Sequence, residues 1–188
     1  MHLKFQVEET LHGPARISDM TGLSMDGQRN WRQRGHLGPS DGPRGKMSTS
    51  AVAALAVRAF AAELGYPARD SEQLGVDAGP SVIYPSLLDS PWAAIKLEGS
   101  PAAKQAFRVA HEGSTQIASA ISGLGDCRPA TTISWFDQDP PTLTASPNLE
   151  PWEGYEITLR RINLIGIGAR LIQYAGKPLF TVAICDVK

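Results

Sequence analysis

Apolar residues in the first third of the chain fall at helical spacing, broken by short polar turns. Ile17 and Met20 lie three apart and share a face, so residues 15–20 are predicted as a short helix. Pro14 stands near its start, where a missing N–H does no harm. Thr21-Gly22-Leu23 reads as a tight turn: Gly22 takes left-handed backbone and Leu23 plugs the space between two helices. Ser24 is placed to cap a second helix through Arg34, with Gly35 closing it. On a wheel of 3.6 residues, Trp31 is the large apolar side chain of that helix and faces inward, with Gly27 and Gln28 on the same side. Met25, Asp26, Arg29, Asn30 and Gln33 then point outward, flanked by Arg32 and Arg34. The stretch 37–47, LGPSDGPRGKM, reads as a two-stranded hairpin running from Leu37, with a Pro/Gly tip. Ser48 or Ser50 caps a third helix to Leu64, in which Val52, Leu55, Ala59 and Ala62 keep three- and four-residue spacing. Gly65 and Pro67 end it, and the seven alanines in 51–62 permit close helix approach.

Beyond this head the pattern is less regular. Residues 66–80 are polar and punctuated by Gly and Pro, which predicts a linker with a short helical turn. Residues 81–95 are apolar but interrupted by Pro85 and Pro91, a mixed signal. Ser100-Pro101 starts a helix over 102–110, although Phe107, Val109 and His111 alternate as a strand would. A helix over 114–124 is expected to end at Gly125, followed by a strand over 131–136, a loop over 139–151 and a short strand over 156–159. Leu164, Gly168, Leu171 and Ala175 return to helical spacing, widened by Ile165 and Ile172 and ended by Gly176. The apolar run 179–187 reads as a strand central in a small sheet. The fold class expected is α+β: a winged helix-turn-helix over 1–68, a linker over 69–80, and a small mixed α/β domain over 81–188.

With 42% hydrophobic and 20% charged residues, the chain has the makings of a globular core rather than a disordered segment. No apolar run reaches the roughly 18 residues of a membrane span. The opening MHLKFQVEE has no apolar secretory stretch, and Cys127 and Cys185 lack ligand spacing, so a reducing cytoplasmic setting with buried thiols is expected. Charge is unevenly spread. Residues 1–69 hold nine Lys/Arg against six Asp/Glu, whereas residues 70–188 hold nine against thirteen. Within 16–46 the balance is six to three, a basic patch on an acidic chain, as a nucleic-acid-reading head would need. Signs of an enzyme are missing. Ile165-Gly166-Ile167-Gly168 lacks the third glycine of a nucleotide loop and reads as tight packing, and His111-Glu112 has no second His and reads as a solvated pair. Neither a GxSxG, a Walker loop nor an acidic metal cluster occurs, so no catalytic residue, cofactor or metal is expected. Trp92, Trp135, Trp152 and Tyr155 have the chemistry of an aromatic pocket, though aromatics in a small body are usually core.

A helix face offering Arg, Asn and Gln suits the DNA major groove. Arg forks onto guanine O6/N7, and Asn or Gln pairs with adenine N6/N7. Arg44 and Lys46 would then reach phosphate or the minor groove alongside. The phrases TGLS (21–24), RNWRQRGHL (29–37) and GKMSTSAVAAL (45–55), in that order, resemble the winged DNA-binding domain of MerR-type transcription regulators. The resemblance covers about a quarter of the chain and implies DNA contacts by Arg29, Asn30, Arg34, Arg44 and Lys46, with Trp31 as anchor. Two positions depart from the pattern: Gln28 stands where the family has an apolar residue, and Met47 where it has an aromatic one. The long dimerisation helix and the metal-binding cysteine loop of that family are missing too. The same head resembles those of phage excisionases and terminase small subunits. The expectation is therefore a bacterial or phage double-stranded-DNA-binding regulator, homodimeric through its C-terminal part, with RNA polymerase or another protein as further partner. An architectural DNA protein and a ligand-binding or protein-interaction module are the alternatives. The expected contact set is Met25, Asp26, Arg29, Asn30, Arg32, Gln33, Arg34, Arg44 and Lys46, supported by Leu23, Ser24, Trp31 and Leu37.

Overall fold

A computed structural model describes residues 4–89, 91–111, 115–124, 129–136, 140–145 and 159–185. In chain order these form β1 (Lys4–Glu9), α1 (Pro14–Thr21), α2 (Met25–Gln33), α3 (Thr49–Glu63), α4 (Ser71–Asp89), α5 (Pro91–Ala94), β2 (Ile95–Glu98), α6 (Pro101–His111) and α7 (Thr115–Ser122). They continue with β3 (Thr132–Phe136), β4 (Thr142–Thr144), β5 (Leu159–Asn163), α8 (Leu164–Ala175) and β6 (Phe180–Cys185). Among the described residues the fold is α+β, with two three-stranded sheets. Among the described residues no helix is long and apolar enough to cross a membrane.

In the first sheet β6 lies between β1, antiparallel, and β2, parallel. Phe5 and Val7 stand opposite Ile184 and Val182, and Ile95 and Leu97 opposite Phe180 and Val182, so one face collects the apolar side chains. Lys4, Gln6 and Glu8 occupy the other face, which is why so polar a strand as β1 escapes a hydrophobicity reading. In the second sheet β3 is central, antiparallel to both β4 and β5. The loop expected over 139–151 thus contains a strand, and β5 runs over Leu159–Asn163, sharing only Leu159 with the strand expected over 156–159. Residues 156–158, both cysteine side chains, Gly125, Glu112, Trp152 and Tyr155 lie outside the described set.

The largest correction concerns the linker. Residues 71–80 are the first half of the 19-residue helix α4, which continues through Pro80 and Pro85. Burial overrides composition here: Leu74, Ala78, Val82, Ile83, Tyr84 and Leu87 pack inward against α3, α7 and α8. The glycines that suggested a linker are close-approach positions. A Cβ on Gly75 would come within 2.8 Å of the Ala54 carbonyl, and one on Gly168 of α8 would run into the Val82 carbonyl. The IGIG sequence is indeed tight packing. One buried apolar cluster takes Ile17, Met20 and Val52 from the head together with Ile83, Leu171 and Phe180 from the rest.

His111, read as solvated, is half-buried and packs against Phe107 and Phe5, with ring centroids 4.6 and 6.4 Å away. Burial pushes its pKa down. Trp135 is core, edge-on to Tyr66 at 5.7 Å, whereas Trp92 is exposed beneath Arg108. These two do not line a common pocket. An apolar cavity of about 270 Å³ lies elsewhere, between α3 and α4 near Ala51, Gly79 and Ile83. Its two hydroxyls, Ser50 and Ser122, are already bonded to Glu9 and to the Ser119 carbonyl.

Candidate nucleic-acid interface

The helix pair forms as its local signals dictate. Gly22 closes α1 at φ +80°, its N–H donating to the Ser18 carbonyl at 2.9 Å. Two residues later the Ser24 hydroxyl accepts the Gly27 N–H at 3.0 Å and caps α2. Asp26 sits in the first turn, where a carboxylate suits the positive end of the helix. Leu23 packs half-buried against the core between the two helices.

Trp31 faces inward as expected, half-buried and packed against the core, but a second residue shares the anchoring. Gln28 is fully enclosed, at 0% exposure. Its amide Nε2 donates to the Pro14 carbonyl at 3.0 Å and to the Leu23 carbonyl at 3.1 Å, tying α2 to the start of α1 and to the turn. A polar side chain is accommodated here because the junction presents two carbonyls to its amide N–H groups, while its Oε1 is buried without a partner. Trp31 is also held from one side by Arg58, whose guanidinium lies 5.4 Å from the ring centroid, and by the edge-on ring of His36.

Opposite these contacts Met25, Asp26, Arg29, Asn30, Gln33 and Arg34 are exposed. Arg29 pairs with Asp26 at 3.3 Å, but both side chains are mostly in water, so the pair is weak and readily exchanged for a phosphate. Arg32, expected to flank this face, is half-buried and its Nη2 reaches Met47 Sδ at 3.9 Å, joining α2 to the loop that follows. That contact turns it from the expected DNA-facing set toward the loop.

Segment 37–47 is not a two-stranded ribbon. It holds one bridge, Gly42 to Lys46, around a single 3-10 turn, Pro43–Gly45, while Met47 pairs with His12 outside the segment. Pro39 and Pro43 have no N–H to give a ladder, and Gly38, Gly42 and Gly45 favour turns. Buried Leu37 and Met47 fasten its two ends, and Asp41 accepts the Ser48 N–H at 2.7 Å. The tip exposes Arg44 and Lys46. Among the described residues Arg34, Arg44 and Lys46 form no ion pair.

Arg58 is the residue that sequence reasoning passed over. A lone Arg in an alanine-rich helix reads as surface, yet this one is 6% exposed. Its Nε donates to Ser71 Oγ at 3.3 Å, and its Nη2 to the carbonyls of Ala68 and His36. Burial pushes its pKa below the usual arginine range, with Glu72 opposing. It fastens the end of α2 to α3 and to the start of α4. No protein-family model, curated protein or solved structure matches the chain.

Proposed function

We propose that this protein binds double-stranded DNA as a regulator of bacterial or phage type. Helix α2 would enter the major groove and the 37–47 loop would lie on the flanking backbone. The observation that carries this reading is the outward face of α2. It offers Arg29, Asn30, Gln33 and Arg34 in water on a helix whose opposite side is pinned by buried Gln28. Those side chains have the donor and acceptor patterns that distinguish base pairs in the wide groove, and a fixed axis is what lets them do so selectively. Arg44 and Lys46, unpaired and exposed, supply phosphate contacts that set register without reading sequence. Two copies joined through their C-terminal parts would read half-sites about 34 Å apart, one helical turn.

The test is a mobility shift on mixed genomic fragments at rising salt. The wild type is expected to retain a subset of fragments. Arg29→Ala should lose that preference at a cost of about 1–3 kcal/mol, and Arg44→Ala should weaken all fragments alike and lower the salt slope by about one. Retention of no fragment at low salt, or both variants behaving as wild type, would remove the assignment.

A further inference from the structure

The basic surface does not stop at the 37–47 loop. Residues 42–47 lie along the chain that leads into α1. A Cβ on Gly42 would sit 3.0 Å from Leu11 Cδ1, and one on Gly45 would sit 3.5 Å from Pro14 Cγ and 4.0 Å from Arg32 Nη2. His12 and Met47 exchange backbone hydrogen bonds of 2.8 and 3.0 Å. The turn joining α8 to β6 also meets this lead-in segment. Lys177 Nζ donates to the Leu11 carbonyl at 3.0 Å, and Arg16 Nη1 donates to the Tyr174 carbonyl at 3.2 Å. Leu11 therefore touches the loop with its side chain and Lys177 with its carbonyl, so a single residue separates the two sets of cations.

Resting on the DNA-binding reading above, we propose that Lys177 and Arg16 extend the DNA-contacting surface onto the C-terminal half of the chain. They would take backbone phosphate beyond that met by Arg44 and Lys46. Both side chains are exposed. Among the described residues Lys177 has no ion-pair partner, and the Arg16–Asp19 pair, 3.5 Å apart and half in water, yields easily to a phosphate. Two nearby carboxylates are engaged elsewhere: Glu9 accepts the Ser50 N–H and Asp41 the Ser48 N–H, both at the start of α3. The positive potential of this corner is also felt by its neighbour His12, whose pKa is pushed down first by burial and then by Lys177 and Arg16. The occupant this charge pattern fits is a duplex backbone continuous with the one beneath the loop: Arg16 and Lys177 lie together, a Cβ on Gly176 sitting 3.2 Å from Arg16 Cζ, beside the segment on which the loop rests.

The experiment is fluorescence anisotropy of the full chain with a labelled mixed-sequence duplex over a salt series. Lys177→Gln removes the charge and leaves a shorter N–H donor beside the Leu11 carbonyl, and Arg16→Gln removes the charge on α1. Each is expected to weaken binding about three- to tenfold at low salt and to reduce the log–log salt slope by about 0.9. Lys96→Gln, on the outer sheet face beside Glu98, should match wild type. Thermal melts of every variant identify any loss that comes from unfolding, and Lys177→Arg should restore affinity. If Lys177→Gln and Arg16→Gln keep the wild-type slope while Arg44→Ala lowers it, the extension is wrong and the reading of α2 stands. If the wild type fails to bind the duplex, the reading itself falls and the extension with it.

Discussion

Arg44 carries φ +58°, the one non-glycine residue in the left-handed region among the described residues. That backbone costs an L-residue about 1–2 kcal/mol. Gly45 follows at φ +75°, so the tip turns through two left-handed residues, of which only one is a type suited to it. Strain at an exposed cation is informative, since nothing buried needs the side chain there and glycine would fold more easily. Arg44→Gly is therefore expected to hold or raise the melting temperature, by about 1–4 °C, once the extra chain entropy of glycine is subtracted. DNA affinity should fall over the same substitution. Calorimetry set against anisotropy checks both arms, and a variant that melts lower would show the side chain to be structural.

At the scale of elements, α2 is held by buried polar groups as well as by the packing of Trp31 against the core. Its apolar content is small, with Trp31 half-exposed, so the hydrogen bonds of Gln28 at one end and Arg58 at the other must define its axis. Arg58→Met keeps most of the volume but leaves the His36 and Ala68 carbonyls without their cationic donor. A loss of about 2–3 kcal/mol is expected in urea unfolding, and faster hydrogen exchange should concentrate in α2 and the start of α4. The two helices, their turn and α3 were legible because caps, Gly22 and three- and four-residue spacing are local signals. Local signals failed where distant partners decide. β1 is a strand only because β6 lies beside it, and α4 is a helix because α3 covers its glycines and α8 packs closely against it at Gly168. Of the candidate site, the outward face of α2 was readable from a helical wheel. Gln28 was placed inward but not as the anchor, and Arg58 was missed because its partners at 36, 68 and 71 follow no period.

For the whole molecule, the question is how a reading head is joined to the rest, and the joint is made of hydrogen bonds as well as apolar contact. Arg170 of α8 donates to the last carbonyls of α1, Asp19 at 2.9 Å and Met20 at 3.1 Å, and Thr10 Oγ1 donates to the Pro178 carbonyl at 2.7 Å. At the centre Thr49 Oγ1 donates to the Leu179 carbonyl at 2.8 Å, which leaves its lone pair for His12 Nε2 at 3.1 Å. His12 is then the neutral Nε2–H tautomer, and its Nδ1 is buried with no acceptor opposite it. A second proton has nowhere to bond. Burial, then Lys177, then Arg16 push the pKa from 6.5 to about 4. The unfolded chain takes up that proton near pH 6.5 and the folded chain only near pH 4, so the unfolded state binds more protons in between. Stability should be flat above pH 6.5, fall as pH drops toward 4, and lose about 3 kcal/mol across that window. Because His12 sits where α1, α3 and β6 meet, the acid-weakened place is the joint itself. His12→Gln, which keeps a donor for Thr49, should remove this part of the slope while leaving that of His111. Urea unfolding of both proteins at pH 7 and pH 4.5 measures the difference, and parallel losses in the two would show that the imidazole is not what acid attacks.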